Sequence, residues 1–525
     1  MTSRRLRHAL PWLIPLALIA AWVGLRGVGG EPAPDGFTVL LDGAPKGLDP
    51  RFATSDFSVK LSRLVFSSLI SSDTPGGKPE LDLATDIQIT SPTTIAVTLR
   101  DDAFWHDGEP VTAEDVRFTL TTLDDEGIDS PYAGLSRRIE RIDVHDPHRL
   151  TIHLTQPHAP FLHDLAIGIV PKHRMTEQGL FPDGVIVGSG PFRFADRKGD
   201  AWTALEAFDR HHGGAPALER VIFRTIRDDN ARLLAMMGGS GQLLQNAVAP
   251  LLLPALQGDR DLVIESSPSF KYTYIGFNVT HPILSDARVR QAIALGIDRE
   301  EIIEHKFAGL ARPATGLLAP SHWAYTADVA TWGHDPARAR ALLDQAGYTD
   351  PDGPDGPQPR FELVYKTTTN QFRRSIAELI AMQLAEIGIA VKVQAYEWGT
   401  FFGDIKSRNF ELCSLQWPSV IEPDLYSWIF HSRSIPTAEN RSAGANRGGY
   451  SNPEIDRLLD EARAEMDRDA RARLYHKVQA ILAEELPYIS LWHEDNIVVR
   501  QRAVQGYQPV PNARFSGLVE TRWAP

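Results

Sequence analysis

The chain is 525 residues long, 43% hydrophobic and 23% charged, so it holds several domain-sized units with buried cores and is neither one small module nor mainly disordered. Its 54 basic against 67 acidic residues leave a formal charge of −13, which excludes a phosphate-binding surface spread over the whole protein and, with it, nucleic acid as an expected partner. The single cysteine, Cys413, allows no intramolecular disulfide and no cysteine-built zinc site, and its neighbours Phe410, Leu412, Leu415 and Trp417 point to a buried strand.

Arg4, Arg5 and Arg7 precede a charge-free apolar run at 9–25, after which come Gly27, Gly29, Gly30, Pro32 and Pro34. This is the pattern of an export segment, of a length that suits either a signal-peptide core or a short membrane anchor. Val28-Gly29-Gly30 before Glu31 is the best small-residue cleavage site, and no cysteine follows it to accept a lipid. Cleaved or anchored, the segment keeps its positive end in the cytoplasm and places the bulk of the chain outside the inner membrane.

Beyond the linker, Phe37-Thr38-Val39-Leu40-Leu41 reads as a buried strand, and Val59, Leu61, Leu64, Val65 and Leu69 form a helix face with Ser55 or Asp56 as its cap. Alternation at 87–99 and 141–154 predicts half-buried strands, and between them Thr112 and Asp115 approximate a capping box at the start of a helix. The stretch 68–186 therefore reads as a separate α+β insert. Strands are expected through 192–225. Helices are expected at 286–303, 335–346, 374–387, 453–462 and 467–485, alternating with apolar strands, so the remainder is α/β.

Catalytic signatures are weak. Gly238-Gly239-Ser240-Gly241 lacks a following Lys-Ser/Thr, and Gly188-Ser189-Gly190 fits neither a dinucleotide fingerprint nor a serine-hydrolase elbow, so both read as turns. The cluster His145, His148, His153, His158, His163 and His173 raises a metal-dependent hydrolase as an enzyme-class alternative, but His153 lies in an alternating run that suits a wet strand face. Leu415-Gln416-Trp417 leading into Glu422-Pro423-Asp424 places an aromatic ring and two carboxylates in one loop, which can hold a cation or cap the helix that follows.

Several stretches in order resemble the family 5 extracellular solute-binding proteins, the peptide- and nickel-binding receptors of ABC importers. They are Leu48-Asp49-Pro50, Phe104-Trp105-His106-Asp107-Gly108-Glu109-Pro110, Gly188-Ser189-Gly190-Pro191-Phe192, Asp286-Ala287-Arg288-Val289-Arg290-Gln291-Ala292, Asp335-Pro336-Ala337-Arg338 and Tyr450-Ser451-Asn452-Pro453-Glu454. The resemblance implies a two-lobe, type II, class C binding-protein fold with the insert. Its expected boundaries are leader or anchor 1–30, first lobe 31–67, insert 68–186, first lobe again 187–277, second lobe 278–494 and a first-lobe return at 495–525. It implies a monomer that is not an enzyme, uses no cofactor and no metal, captures a short peptide between its lobes and delivers it to ABC permease subunits. Nickel complexes, opines and oligosaccharides are the alternative solutes, the last left open by Trp202, Trp323, Trp332, Trp398 and Trp417; a membrane-tethered sensor is the alternative role.

The resemblance also implies the site. Glu422, with Asp424 as the fallback, would hold the peptide ammonium beside Trp417. Arg373 or Arg374 would take the peptide carboxylate, since a guanidinium makes two parallel bonds to it. Tyr272 and Tyr274 would line the cleft from the hinge strand, and Thr54 and Ser55 from the first loop.

Overall fold

The computed structural model describes residues 34–353, 356–437 and 444–524; the segment expected to direct export lies outside them. In the first lobe, the run Phe37–Leu41 is buried at every position, as a strand covered on both faces must be. It pairs in parallel with Arg220–Thr225 on one side and Leu243–Gln245 on the other. The sheet extends to seven strands in the order Leu262–Ser267, Asn496–Gln501, Leu243–Gln245, Phe37–Leu41, Arg220–Thr225, Trp202–Ala207 and Phe192–Lys198. The C-terminal strand Asn496–Gln501 thus returns between two strands from the middle of the chain.

The second lobe is a six-stranded sheet in the order Ala311–Pro313, Tyr488–Glu494, Tyr272–Phe277, Leu412–Trp417, Phe361–Thr368 and Ile389–Tyr396. Helices Ala287–Leu295, Arg299–Phe307, Pro336–Gln345 and Gln371–Ala385 begin at Asp286, Asp298, Asp335 and Asn370, whose side chains each accept a backbone N–H of the first turn. Their apolar faces pack Ile293, Leu343 and Ile380 against Ile275, Leu363 and Tyr365 of the sheet. Cys413 is buried in the neighbouring core, and burial pushes its thiol up to about 12.

Between helix Asp56–Val65 and strand Phe192–Lys198 lies the insert, whose antiparallel sheet runs Ala84–Ser91, Thr94–Leu99, Arg149–Leu154, Ile139–Asp146. Helix Ala113–Thr121 packs on it, and the Asp115 carboxylate accepts the Thr112 backbone N–H at 2.9 Å, closing the anticipated capping box.

One expected boundary moves. Strand Tyr272–Phe277, placed in the first lobe by sequence, pairs with Leu412–Trp417 and Tyr488–Glu494 in the second-lobe sheet. Its Tyr272 and Tyr274 belong to one second-lobe core and its Ile275 and Phe277 to the other, so the crossing falls at 268–271 rather than at 278. The chain crosses back at Asp495, between Tyr488–Glu494 and Asn496–Gln501.

Two of the stretches behind the resemblance are in contact with each other. The His106 ring bonds the Gly188 N–H at 3.1 Å and the Gly190 carbonyl at 3.0 Å, and its backbone N–H donates to the Gly188 carbonyl at 2.8 Å. Asp107 accepts from His173 at 2.8 Å and Arg174 at 2.5 Å. Gly188 and Gly190 are glycines because of a close approach rather than a turn. A Cβ on Gly188 would lie 1.9 Å from the Val65 carbonyl oxygen, and one on Gly190 would lie 2.5 Å from that of Leu64. The pair seats the insert on the C-terminal end of the first helix.

Gly188→Ala is accordingly expected to lower the thermal midpoint by about 5 °C or more, because backbone has to move to admit the methyl. A thermal melt followed by circular dichroism checks it, and an unchanged midpoint would show that the two segments separate without cost.

Candidate functional site

Among the described residues, two cavities lie where the lobes face each other. The smaller, about 420 Å³, sits at the hinge. The first lobe lines it with Asp42, Asn246 and Val248, the second with Asn370, Phe372, Arg373 and Ser414, and the crossing region with Thr273, Gln416, Trp492 and Glu494. Its floor is a closed polar network. Glu494 accepts from Lys271 at 3.2 Å, from Thr273 at 3.2 Å and from Gln416, which also donates to Thr273 at 3.1 Å.

The wall of this cavity is set by one helix cap. Asn370 accepts the Arg373 backbone N–H at 3.0 Å, so helix Gln371–Ala385 starts three residues earlier than its apolar pattern indicates and carries both candidate arginines in its first turn. Adjacent helical residues point about 100° apart. Arg374 turns outward and pairs with Glu378 at 2.7 Å, whereas Arg373 lines the cavity, and among the described residues its guanidinium has no hydrogen bond or ion pair.

The larger cavity, about 830 Å³, lies between the first-lobe helix Asp56–Val65, the insert and the exposed Trp428 of the second lobe. Arg63, Arg137, Arg138 and Arg514 line it together with a single carboxylate, Asp164. Burial pushes the Asp164 carboxyl up to about 7, with Arg138, 3.9 Å away, opposing. Burial also holds the His163 ring down to about 3, so it is neutral; it lies 3.3 Å from the Ser72 hydroxyl.

With this geometry in view, comparison with known proteins is informative. Residues 78–435 match the family described as "Bacterial extracellular solute-binding proteins, family 5 Middle". The chain belongs to this family. The Bacillus subtilis oligopeptide-binding protein AppA is 26% identical over 92% of this chain and 90% of its own length, and a probable di/tripeptide-binding protein of Pseudomonas aeruginosa is 30% identical over 72% of each. The solved structure of B. subtilis AppA with a nonapeptide covers 94% of this chain and 100% of its own at a TM-score of 0.74 and 25% identity.

The family-derived site residues fall into distinct environments. Glu422 is half-buried and ion-paired with Arg471, and desolvation raises its carboxyl above the usual range while that guanidinium opposes. Asp424 accepts from Arg463 at 2.9 and 3.2 Å and from the Ser427 hydroxyl at 2.7 Å, at the start of helix Leu425–Phe430. Trp417 is half-buried against the second-lobe core, and its indole N–H has no partner among the described residues.

Tyr272 and Tyr274, expected in the cleft wall, are 2% exposed; their rings stack 5.6 Å apart inside the second lobe. Strand alternation is the reason: Thr273 between them is the residue that faces the cavity. Ser55 caps the first helix and Thr54 is exposed beside it, while their neighbour Ala53 lines the larger cavity. None of Trp202, Trp323, Trp332, Trp398 and Trp417 lines either cavity; Trp428 and Trp492 do.

The histidines of the insert disperse. His145 bonds Thr151, His153 bonds Asp143 and His173 bonds Asp107, and among the described residues no group of three or more His, Cys, Asp or Glu could hold a metal ion. The cluster in the sequence is thus not a cluster in space.

Two outcomes follow from these environments. Removing one member of a buried pair strands the other, so Arg471→Met is expected to cost about 3–5 kcal/mol in urea unfolding, and adding Glu422→Leu should recover most of that loss. An additive double variant would show that the two charges do not depend on each other. Separately, a carboxyl whose folded pKa of about 7 exceeds its unfolded value near 4 binds its proton more tightly when folded. Stability of the ligand-free protein therefore declines as pH rises from about 4 to about 7 and levels off above, and Asp164→Asn should flatten that segment of a Tm-against-pH curve.

Proposed function

We propose that the chain captures short peptides between its lobes and presents them to an ABC-type permease, acting as a receptor without covalent chemistry. The observation that carries this reading is Arg373: a guanidinium with no partner among the described residues, held on the wall of an interlobe cavity by a helix cap and facing a hinge floor on which Glu494 is already held by Lys271, Thr273 and Gln416. Its forked donors suit the terminal carboxylate of a peptide. The peptide- and oligopeptide-binding names of the relatives support the same ligand class.

The family places the protein outside the cytoplasm. Among the described residues no helix is long and apolar enough to cross a membrane, and the apolar run at 9–25 supplies either a removable leader or a tether to the inner membrane. Capture follows from the hinge. A ligand that bonds both walls favours the closed arrangement by its differential affinity for it, and the closed form is what a permease recognises. Closure removes bulk water, so the charged groups of both partners must be matched.

Mass spectrometry of the small molecules released on denaturing the protein, purified from an exporting host, tests this reading. A ladder of short peptides is the expected result. Recovery of a sugar, an opine or a nickel complex instead would keep the receptor and change its ligand.

A further inference from the structure

The charges at the larger cavity are unbalanced. Every carboxylate near it is committed: Glu422 to Arg471, Asp424 to Arg463, Asp73 to Arg514 at 2.6 Å, Asp124 to Arg137 at 2.6 Å. Asp164, the one carboxylate on the lining, stands 3.9 Å from Arg138. Arg63 differs from the other cations. Its one hydrogen bond is to the neutral Ser68 hydroxyl at 2.9 Å, and among the described residues no carboxylate lies within ion-pairing distance of it.

The surroundings of Arg63 make this costly. Burial, reinforced by repulsion from Arg514, pulls the guanidinium down to about 9, with Asp73 and Asp82 attracting it from further away. A desolvated guanidinium on the wall of a cavity gains much from an arriving anion, because water is not there to screen the pair. Apolar groups of Val59, Leu135, Ile167 and Trp428 complete the lining and offer room for the methylenes of a side chain. Asp164, only loosely paired with Arg138, is the one carboxylate this lining could offer a ligand cation.

We infer that this cavity is a side-chain subsite for an acidic residue of the ligand, with Arg63 receiving its carboxylate. The inference rests on the peptide reading above and narrows it: the preferred solutes are short peptides carrying Glu or Asp, not the neutral or basic ones. Arg373 then addresses the terminal carboxylate at the hinge, and Arg63 addresses a second negative charge elsewhere in the cleft.

Calorimetric titration of the purified chain with three pairs of tripeptides tests it. Each pair carries glutamate or its isostere glutamine at the first, second or third position of trialanine. In at least one pair the glutamate peptide is expected to bind tenfold or more tighter, and Arg63→Gln should erase that preference while leaving the glutamine peptides within about threefold. Equal affinities within all three pairs would overturn the subsite and leave the peptide reading standing. Failure of every tripeptide to bind would overturn the peptide reading, and the subsite with it. Because the decisive ratio is measured on the unaltered protein, the test survives an Arg63 variant that does not fold; Arg63→Lys, which keeps the charge, should retain part of the preference.

Discussion

Both passages of the chain between the lobes run through one antiparallel strand pair, and the cleft depends on it. Tyr272–Phe277 and Tyr488–Glu494 lie side by side in the second-lobe sheet, with Tyr272 opposite His493. Glu494 ties the end of one strand to Lys271 and Thr273 at the start of the other and to Gln416 of a third. The chain leaves this sheet for the first-lobe sheet at 268–271 and at Asp495, the two places where bending would concentrate. A floor built within this one sheet would keep its register if the walls moved about it.

Charge is distributed around this floor by a simple rule. The two carboxylates of the loop after Trp417 are each paired with an arginine from the same lobe, Arg471 for Glu422 and Arg463 for Asp424. Both arginines belong to the helical layer that follows the loop, one in helix Arg468–Glu485 and one in helix Pro453–Ala464. The pairs knit the loop that carries Trp417 to that layer. Toward the cleft, Arg373 at the hinge and Arg63 beside the insert have no ion pair among the described residues, and neither has the exposed Asp42 on the hinge cavity.

Much of the architecture was legible in the sequence because the relevant signals are local. A continuously apolar run gave the central strand Phe37–Leu41, and Asp or Asn before helical patterns marked real caps at Asp286, Asp335 and Asn452. The signals failed where a long-range partner decides the outcome. Tyr272–Phe277 reads as a strand in either lobe, and only its pairing with Leu412–Trp417 assigns it. The alternation that turns Thr273 into the cavity turns its two conspicuous tyrosines away, so the eye-catching residues were the wrong ones. Asn370 as a cap was the available clue that Arg373 and Arg374 sit on a helix and face different ways. Glu422 and Asp424 look like free acids in sequence because Arg471 and Arg463 lie 49 and 39 residues further along and nothing local announces them.

The unequal treatment of acids and bases has a consequence for closure. In the proposed closure Arg373 would lose water as the lobes approach, whereas Arg63 is already desolvated by burial. An empty cleft must desolvate a guanidinium with nothing in its place, at an effective cost of several kcal/mol per ion, so the empty protein is biased toward the open arrangement. A ligand carrying carboxylates supplies the missing partner at the moment the water leaves. The paired acids contribute nothing to this switch, because their partners are present in both arrangements. Under the proposed function, selectivity and closure share one origin: the groups that would recognise the ligand are those whose burial the fold itself leaves uncompensated.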